Sequence, residues 1–384
     1  MITFIDWAAI YCTVASVTHL VSVGIAIFRC RRRDAASRAA VGSPPVTLLR
    51  PICGVEPFCA DTLGSGFRLD YPELEIIFCA ARGDDPAVAI VQRLIADHPL
   101  VPARLLIGDD RLSANPKLNN LVKGWRAARH KWIVMADSNV LLPVDSLQRL
   151  LGRWLPDTGA VSSLPIGSRP ANFWAEVECA FLNTHAARFE YASEALGFGF
   201  AQGKTMLFRR DLVERAGGIG VLAADRAEDA AATKMVRAAG RRVRLVDQPF
   251  EQPLGRRGFA EVWSRQVRWA RLRRHSFFWL FLPESLVGSA LPTVCLAAIA
   301  AEREFSIAGS VGLLFGVWFG AEAILAHCAG WHLSWRTPAA LLVRDLILPA
   351  LWIASWAGSG FVWRGTAMRA ERGGATEFAA DLPA

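Results

Sequence analysis

Apolar residues fall into two regimes along this chain: long unbroken runs near both ends, and short runs between polar turns in the middle. The first long run is Phe4 to Phe28. At about 1.5 Å per residue it is long enough for a hydrocarbon core of roughly 30 Å. Only Asp6 and His19 interrupt it, and no small-residue cleavage site follows, so an uncleaved anchor is expected. Arg29, Arg31, Arg32 and Arg33 come next, and the positive-inside rule puts that end in the cytoplasm.

Between residues 46 and 275 the pattern changes. Short apolar segments read as strands at Val46–Leu49, Leu74–Ala80, Ala103–Ile107, Trp132–Ala136, Val161–Leu164, Met206–Phe208 and Val243–Val246. Helical patterns lie between most of them, among them Ala87–Asp97, Leu118–Ala128 and Val144–Leu155. This alternation predicts an α/β domain with a mostly parallel sheet, whose ligands gather beyond the carboxyl ends of the strands. Three more apolar stretches, 277–300, 305–328 and 338–363, predict a C-terminal membrane region.

The expected plan is an N-terminal transmembrane anchor (1–33), a linker (34–45), a catalytic domain (46–275), a membrane region (276–363) and a loose tail (364–384). Four spans starting outside would leave the tail outside, whereas Arg364, Arg369 and Arg372 favour the cytoplasm. An interfacial Phe277–Pro283 segment or one re-entrant stretch would reconcile the two.

Composition sharpens this picture. Hydrophobic residues make up 53% of the 384, mean hydropathy is +0.27, and net charge is +8. A basic membrane protein suits anionic lipid or an anionic substrate. No basic-aromatic reader motif is present, so nucleic acid is not an expected partner. The eight cysteines include no C-x-x-C pair, which argues against zinc and thioredoxin-like chemistry.

Four places carry candidate chemistry. Asp84-Asp85-Pro86 follows a strand, where a carboxylate can accept hydrogen bonds from a uracil ring or ribose; it reads equally as a turn with a helix N-cap. Asp137-Ser138-Asn139 ends the strand Trp132–Ala136, the usual place for a ligand-facing carboxylate, and Asp137 suits a hard Mg or Mn cation on a diphosphate. An Asx-turn is the alternative there. Glu228-Asp229 opens a helix, either as dipole partners or with Asp229 as a general base. Arg265-Gln266-Val267-Arg268-Trp269 offers cations for a diphosphate and a ring for stacking, or a juxtamembrane basic face. Lys117 stands at a helix start, favourable for an anion. Gly203-Lys204-Thr205 is too short for a Walker A loop and reads as a loop near the site.

In this order the motifs resemble the ceramide glucosyltransferases, glycosyltransferase family 21, in which three ordered aspartates precede a (Q/R)-x-x-R-W box. The matches are Asp85, Asp137, Asp229 and Arg265-x-x-Arg268-Trp269. Arg50-Pro51, Gly54-Val55-Glu56-Pro57, Leu69-Asp70-Tyr71-Pro72 and Asn115-Pro116-Lys117 also look like the family, over about residues 1–300. Asn139 stands where eukaryotic members usually have Gly, and Gln202–Thr205 and Arg265–Arg274 look more like bacterial members, which also glycosylate hopanoids.

The resemblance implies a GT-A fold, Rossmann-like with a mostly parallel sheet, carrying N-terminal and C-terminal transmembrane helices. It implies inverting transfer from a UDP-sugar, glucose first among the candidates, to a ceramide-like lipid, with a divalent cation, Mg or Mn. It assigns Asp85 to the uridine, Asp137 to the metal and diphosphate, Asp229 to the base, and Arg265, Arg268 and Trp269 to the diphosphate and acceptor. Lys117 joins the nucleotide-sugar site, and His185 matches a family histidine near the donor. The expected location is the inner membrane, multi-pass, with the catalytic domain cytoplasmic. A hopanoid glycosyltransferase, a processive polysaccharide synthase and a non-catalytic scaffold are the alternatives. Phe173–Phe189 reads as an amphipathic helix, either beside an acceptor entrance or packed on the sheet.

Overall fold

The computed structural model describes residues 3–32, 42–358, 360–363 and 366–369. Helix α1 (Phe4–Arg31) comes first. Strand β1 (Val46–Ile52), α2 (Cys59–Gly64), β2 (Leu74–Ala80), α3 (Pro86–Asp97), β3 (Ala103–Ile107), α4 (Pro116–Ala127) and β4 (Trp132–Ala136) follow in alternation. Next come α5 (Ser146–Leu151), β5 (Thr158–Ser162), β6 (Pro165–Pro170), α6 (Phe173–Ala180), a π-helical stretch Phe181–Ala187 and α7 (Arg188–Ala195). Then β7 (Thr205–Arg209), α8 (Arg210–Arg215), α9 (Glu228–Ala238), β8 (Arg242–Leu245) and β9 (Phe250–Gly255). The chain continues through α10 (Phe259–Ser276), α11 (Phe278–Phe281), α12 (Ala290–Glu302), α13 (Ile307–Ala329), α14 (Thr337–Trp356) and the antiparallel pair β10 (Gly360–Trp363) and β11 (Thr366–Arg369).

These elements form two compact units. A sheet unit comprises Arg32–Ile166, Ser193–Pro253 and Gly360–Ala384; a helical unit comprises Met1–Arg31, Gly167–Ala192 and Leu254–Ser359. Thus Gly167–Ala192 and α10, which fall within the stretch 46–275, cluster with the apolar helices.

In the sheet unit seven strands run in the order β3-β2-β1-β4-β7-β5-β8. β1 to β4 are mutually parallel, β5 and β8 are parallel, and β7 is antiparallel to both β4 and β5. Strand side chains alternate between faces. Leu48, Ile76 and Val134 accordingly enter one core, and Leu49, Ile77 and Met135 the other. Both faces are covered, which is why β1 is buried throughout, Thr47 and Arg50 included. Helix α4 lies close to the sheet because Gly124 has no side chain: a Cβ there would sit 2.6 Å from Cys79 Sγ.

Several expected boundaries move. β5 starts at Thr158, ahead of the expected Val161–Leu164, because its ladder with β8 runs from Thr158 to Ser162. The expected helix Val144–Leu155 shortens to α5: the chain turns at Gly152, and Trp154 leaves the helical path to pack edge-on against Trp132 at 4.7 Å. β6 and β9, absent from the expected strands, pair as a separate two-stranded sheet. Residues 33–41 of the expected anchor end and linker lie outside the described residues, as do residues 364, 365 and 370–384 of the expected tail. Residues 366–369 of that tail form β11.

In the helical unit, among the described residues, four stretches are long and apolar enough to cross a membrane: Phe4–Arg31, Phe278–Glu302, Ile307–Ala329 and Thr337–Trp356. The second is broken. Pro283 lies in a 3-10 turn Leu282–Leu286, and Gly288 has φ +97°. Helix α12 therefore covers only 13 residues. Side chains such as Phe4, Trp7, Val14, Leu313 and Ile324 point outward, as hydrocarbon contact requires. Charges are paired inside: Arg344 meets Glu322 at 2.8 Å and Asp345 at 2.6 Å, and Thr184 Oγ1 donates to Glu322 at 2.6 Å.

Candidate active site

The candidate residues of the sheet unit gather at one edge of the sheet, and local structure explains why. β2 ends at Ala80, and Asp85 caps α3, accepting from Ala87 N at 2.8 Å with Pro86 in the first turn. The same carboxylate accepts from Gly54 N at 2.8 Å, just beyond the end of β1. Asn115 caps α4 in the same manner, accepting from Lys117 N and Leu118 N. Asp85 is therefore a helix cap, as one reading of its sequence allowed, and also a strap between the ends of β1 and β2.

β4 ends at Ala136, so Asp137 is the first residue past its carboxyl edge. Two features fix it. Asp137 N donates to Lys204 O at 2.9 Å, extending the β4–β7 register in which Ala136 faces Thr205. Arg50, fully buried on β1, donates to Asp137 O at 2.7 Å and Val140 O at 3.0 Å, so the loop after β4 is held by its carbonyls.

Because β7 is antiparallel, its starting end lies where β4 finishes. Lys204 Nζ there reaches Asp137 Oδ2 at 2.9 Å and Asn139 Oδ1 at 3.0 Å. Lys117 Nζ, entering from the start of α4, lies 2.7 Å from Asp137 Oδ1 and 2.6 Å from Glu228 Oε1, and also donates to Gly203 O. Asp229 Oδ2 accepts from Gly203 N at 2.9 Å. A Cβ on Gly203 would sit 2.8 Å from Glu228 Oε1 and 3.0 Å from Asp229 Oδ2. Asp137, Glu228 and Asp229, far apart in sequence, thus meet around Lys117 and a glycine that leaves them room.

The electrostatics follow from this packing. Burial pulls the Lys117 ammonium down, but Asp137 and Glu228 outweigh it and hold it above the usual lysine range. Burial raises Asp137, but Lys117 and Lys204 outweigh that and leave it well below the usual carboxylate range. For Asp229 the balance falls the other way. Burial and the adjacent Glu228 push it up to about 6, against the Gly203 N–H, Lys117 and the Ala230 N–H.

Among the described residues no group of three His, Cys, Asp or Glu side chains is arranged to hold a metal ion. The edge still fits a hard divalent cation on a diphosphate, which needs one or two carboxylates and takes its other ligands from phosphate and water. Asp137 offers such a carboxylate: its buried Oδ1 accepts no well-formed hydrogen bond despite the nearby Lys117 charge.

The remaining candidates belong to the helical unit. Arg265, on α10, pairs with the fully buried Glu178 of α6 and lies 3.3 Å from Glu261. Arg257 adds a second cation to Glu178 at 3.3 Å. Trp269 packs on Ala175, Cys179 and Leu182. Arg268 lies between them on the same helix. His185 sits on the π-helical stretch, edge-on to Phe181 and Phe189; burial, Arg344 and Arg188 hold it well below the usual histidine range. The sequence reading gave no role to Lys204 or Glu228; their signal was only their adjacency to Gly203 and Asp229.

A family model described as "Glycosyl transferase family 21" matches residues 14–376. "Ceramide glucosyltransferase 1" of Caenorhabditis elegans is 24% identical over 266 residues, 69% of this chain and 56% of that relative. "Ceramide glucosyltransferase" of Komagataella phaffii is 30% identical over 288 residues, 60% of this chain and 57% of the relative. The chain thus spans somewhat over half the length of these curated relatives. A mannosyltransferase from Pyrobaculum calidifontis, solved with GDP-Man and Mn2+, superposes with a TM-score of 0.53 at 18% identity, covering 88% of this chain and 99% of that one. The shared architecture is the GT-A fold.

Proposed function

The chain belongs to glycosyl transferase family 21, and from that premise we propose that it moves a sugar, glucose first among the candidates, from a UDP-sugar to a ceramide-like lipid at a membrane, with inversion. The observation that supports this best is the meeting of Asp137, Lys117 and Asp229 at the carboxyl edge of β4. An inverting transfer needs one base to take the acceptor hydroxyl proton as that oxygen attacks the anomeric carbon, and charge at the leaving diphosphate must be met.

Asp229 is the base in this reading. A carboxylate with a pKa near 6 is ionised at neutral pH yet basic enough to accept a proton in the transition state. Asp85 serves the uridine from the β1–β2 edge. Asp137 would hold the divalent cation, whose contribution is to neutralise the departing diphosphate. Lys117 fixes Asp137 against Glu228. In the family's pattern Arg265, Arg268 and Trp269 act toward diphosphate and acceptor, and Arg265 and Trp269 also orient α10 against α6. His185, neutral, is assigned to substrate contact from the helical unit. The expected setting is an inner membrane with the sheet unit on the cytoplasmic side.

Asp229→Asn is the direct test. Transfer should fall roughly 100- to 10,000-fold, the usual worth of a positioned base, while UDP binding by calorimetry persists. Transfer at the normal rate would remove Asp229 from the role. Lipid mass spectrometry of a host expressing the chain reads sugar and acceptor together: a single hexose on ceramide is expected, and glycosylated hopanoid or long polymer would reassign the acceptor.

A further inference from the structure

The carboxylate best placed for a divalent cation is already neutralised, twice. Asp137 meets Lys117 at one oxygen and Lys204 at the other, at 2.7 and 2.9 Å. At neutral pH the cluster holds two ammonium groups against three carboxylates, Asp137, Glu228 and Asp229, but both oxygens of Asp137 are taken. A bare dication approaching Asp137 must therefore displace an ammonium from it. A nucleoside diphosphate changes the balance by bringing negative charge of its own, enough for the cation and a lysine together.

The two lysines are not equivalent. Lys117 is 9% exposed and bridges Asp137, Glu228 and Gly203 O, so its position is fixed. Lys204 is 21% exposed, stands on the loop before β7, and among the described residues its ammonium is held by Asp137 and Asn139. Its flexible stem lets the ammonium swing off Asp137.

We propose that Lys204 is a charge gate on Asp137: it excludes the free divalent cation, and it moves to the diphosphate when nucleotide and cation enter together. This rests on the nucleotide-sugar reading above. It makes binding ordered, with the cation arriving on the nucleotide rather than ahead of it.

Manganese titration followed by electron paramagnetic resonance tests the gate without turnover, on the full chain in detergent. The unmodified protein should take up Mn2+ weakly alone and about tenfold or more tightly with UDP, the scale of one charge-assisted contact. Lys204→Met should bind Mn2+ alone about tenfold more tightly than the unmodified protein, and should bind UDP without metal about tenfold more weakly. Lys204→Arg, which keeps the charge, should behave as the unmodified protein in the metal-only titration and shows that the loop still folds. Mn2+ binding alone that is equally tight in the unmodified protein and in Lys204→Met overturns the gate while leaving the nucleotide site intact. Absence of UDP binding in every form overturns the gate and the nucleotide-sugar reading together.

Discussion

Asp229 shows how one carboxylate acquires its chemistry from neighbours. Its raised pKa has two consequences of opposite use. As a base it must be ionised, so kcat/KM should fall as pH drops through about 6, the value set by burial and Glu228. Glu228→Gln removes the adjacent negative charge, and the acid limb of the profile should then move to lower pH; an unmoved limb would show that another group sets it. For stability the sign is reversed. The folded-state value lies above the ordinary 3.8, so the stabilising contribution is complete below that pH and is lost as pH rises through about 6. Asp229→Asn should therefore raise the melting temperature at pH 8, and the gain should vanish near pH 4. A site that stores an unfavourable charge for catalysis is expected to gain stability when disarmed.

At the scale of elements, the sequence was most legible where local rules and tertiary structure agree. β2, β3 and β4 have the ends their apolar runs predict, and α3 and α4 begin at Pro86 and Pro116 behind capping side chains. Asp85 and Asp137 could be placed at strand ends for that reason. β6 and β9 were not legible because each carries Gly and Pro within six residues and depends on pairing across a long stretch of chain. Lys204 was hidden for a similar reason: a loop lysine shows its role only when the antiparallel β7 brings it to the end of β4. The α6–α10 contact is another such case. Glu178 is fully buried among Arg257 and Arg265, so Glu178→Ala leaves two cations with only the half-exposed Glu261 beside them and should cost about 3–5 kcal/mol. Glu261 touches the same arginines but is 42% exposed, and Glu261→Ala should cost at most about 1 kcal/mol. Thermal unfolding of the two variants in detergent separates them; equal losses would mean that the buried carboxylate does not hold α10.

The scale of the whole molecule raises the question of how many times the chain crosses the membrane, and contacts inside the helical unit answer it in a specific way. Arg31, at the end of α1, donates to Cys328 near the end of α13, so these two helices finish together, at the end that the positive-inside rule expects in the cytoplasm. Helix α12 ends at Glu302, only a short turn before α13 starts at Ile307, and the two pack together as a hairpin, so α12 is antiparallel to α13. Helix α14 starts eight residues after α13 ends, and its final turn is bound to α10: Arg271 donates to Ala357 O, and Arg274 lies over Trp356. The same rule expects the arginine-rich end of α10 in the cytoplasm, and both ends of α14 would then lie on one side. Its Arg344 and Asp345, with Arg188 and Glu322 near them, suit the headgroup boundary better than the hydrocarbon centre. Three crossings with α14 lying in the interface would put Ala357 on the same side of the membrane as Arg31. Single cysteines placed by Glu304→Cys, Trp335→Cys and Ala357→Cys, with the eight native cysteines replaced, give the test. A membrane-impermeant maleimide should label the first from outside the cell, and the other two only in inverted vesicles. Labelling of the Ala357→Cys protein from outside would make α14 a fourth crossing.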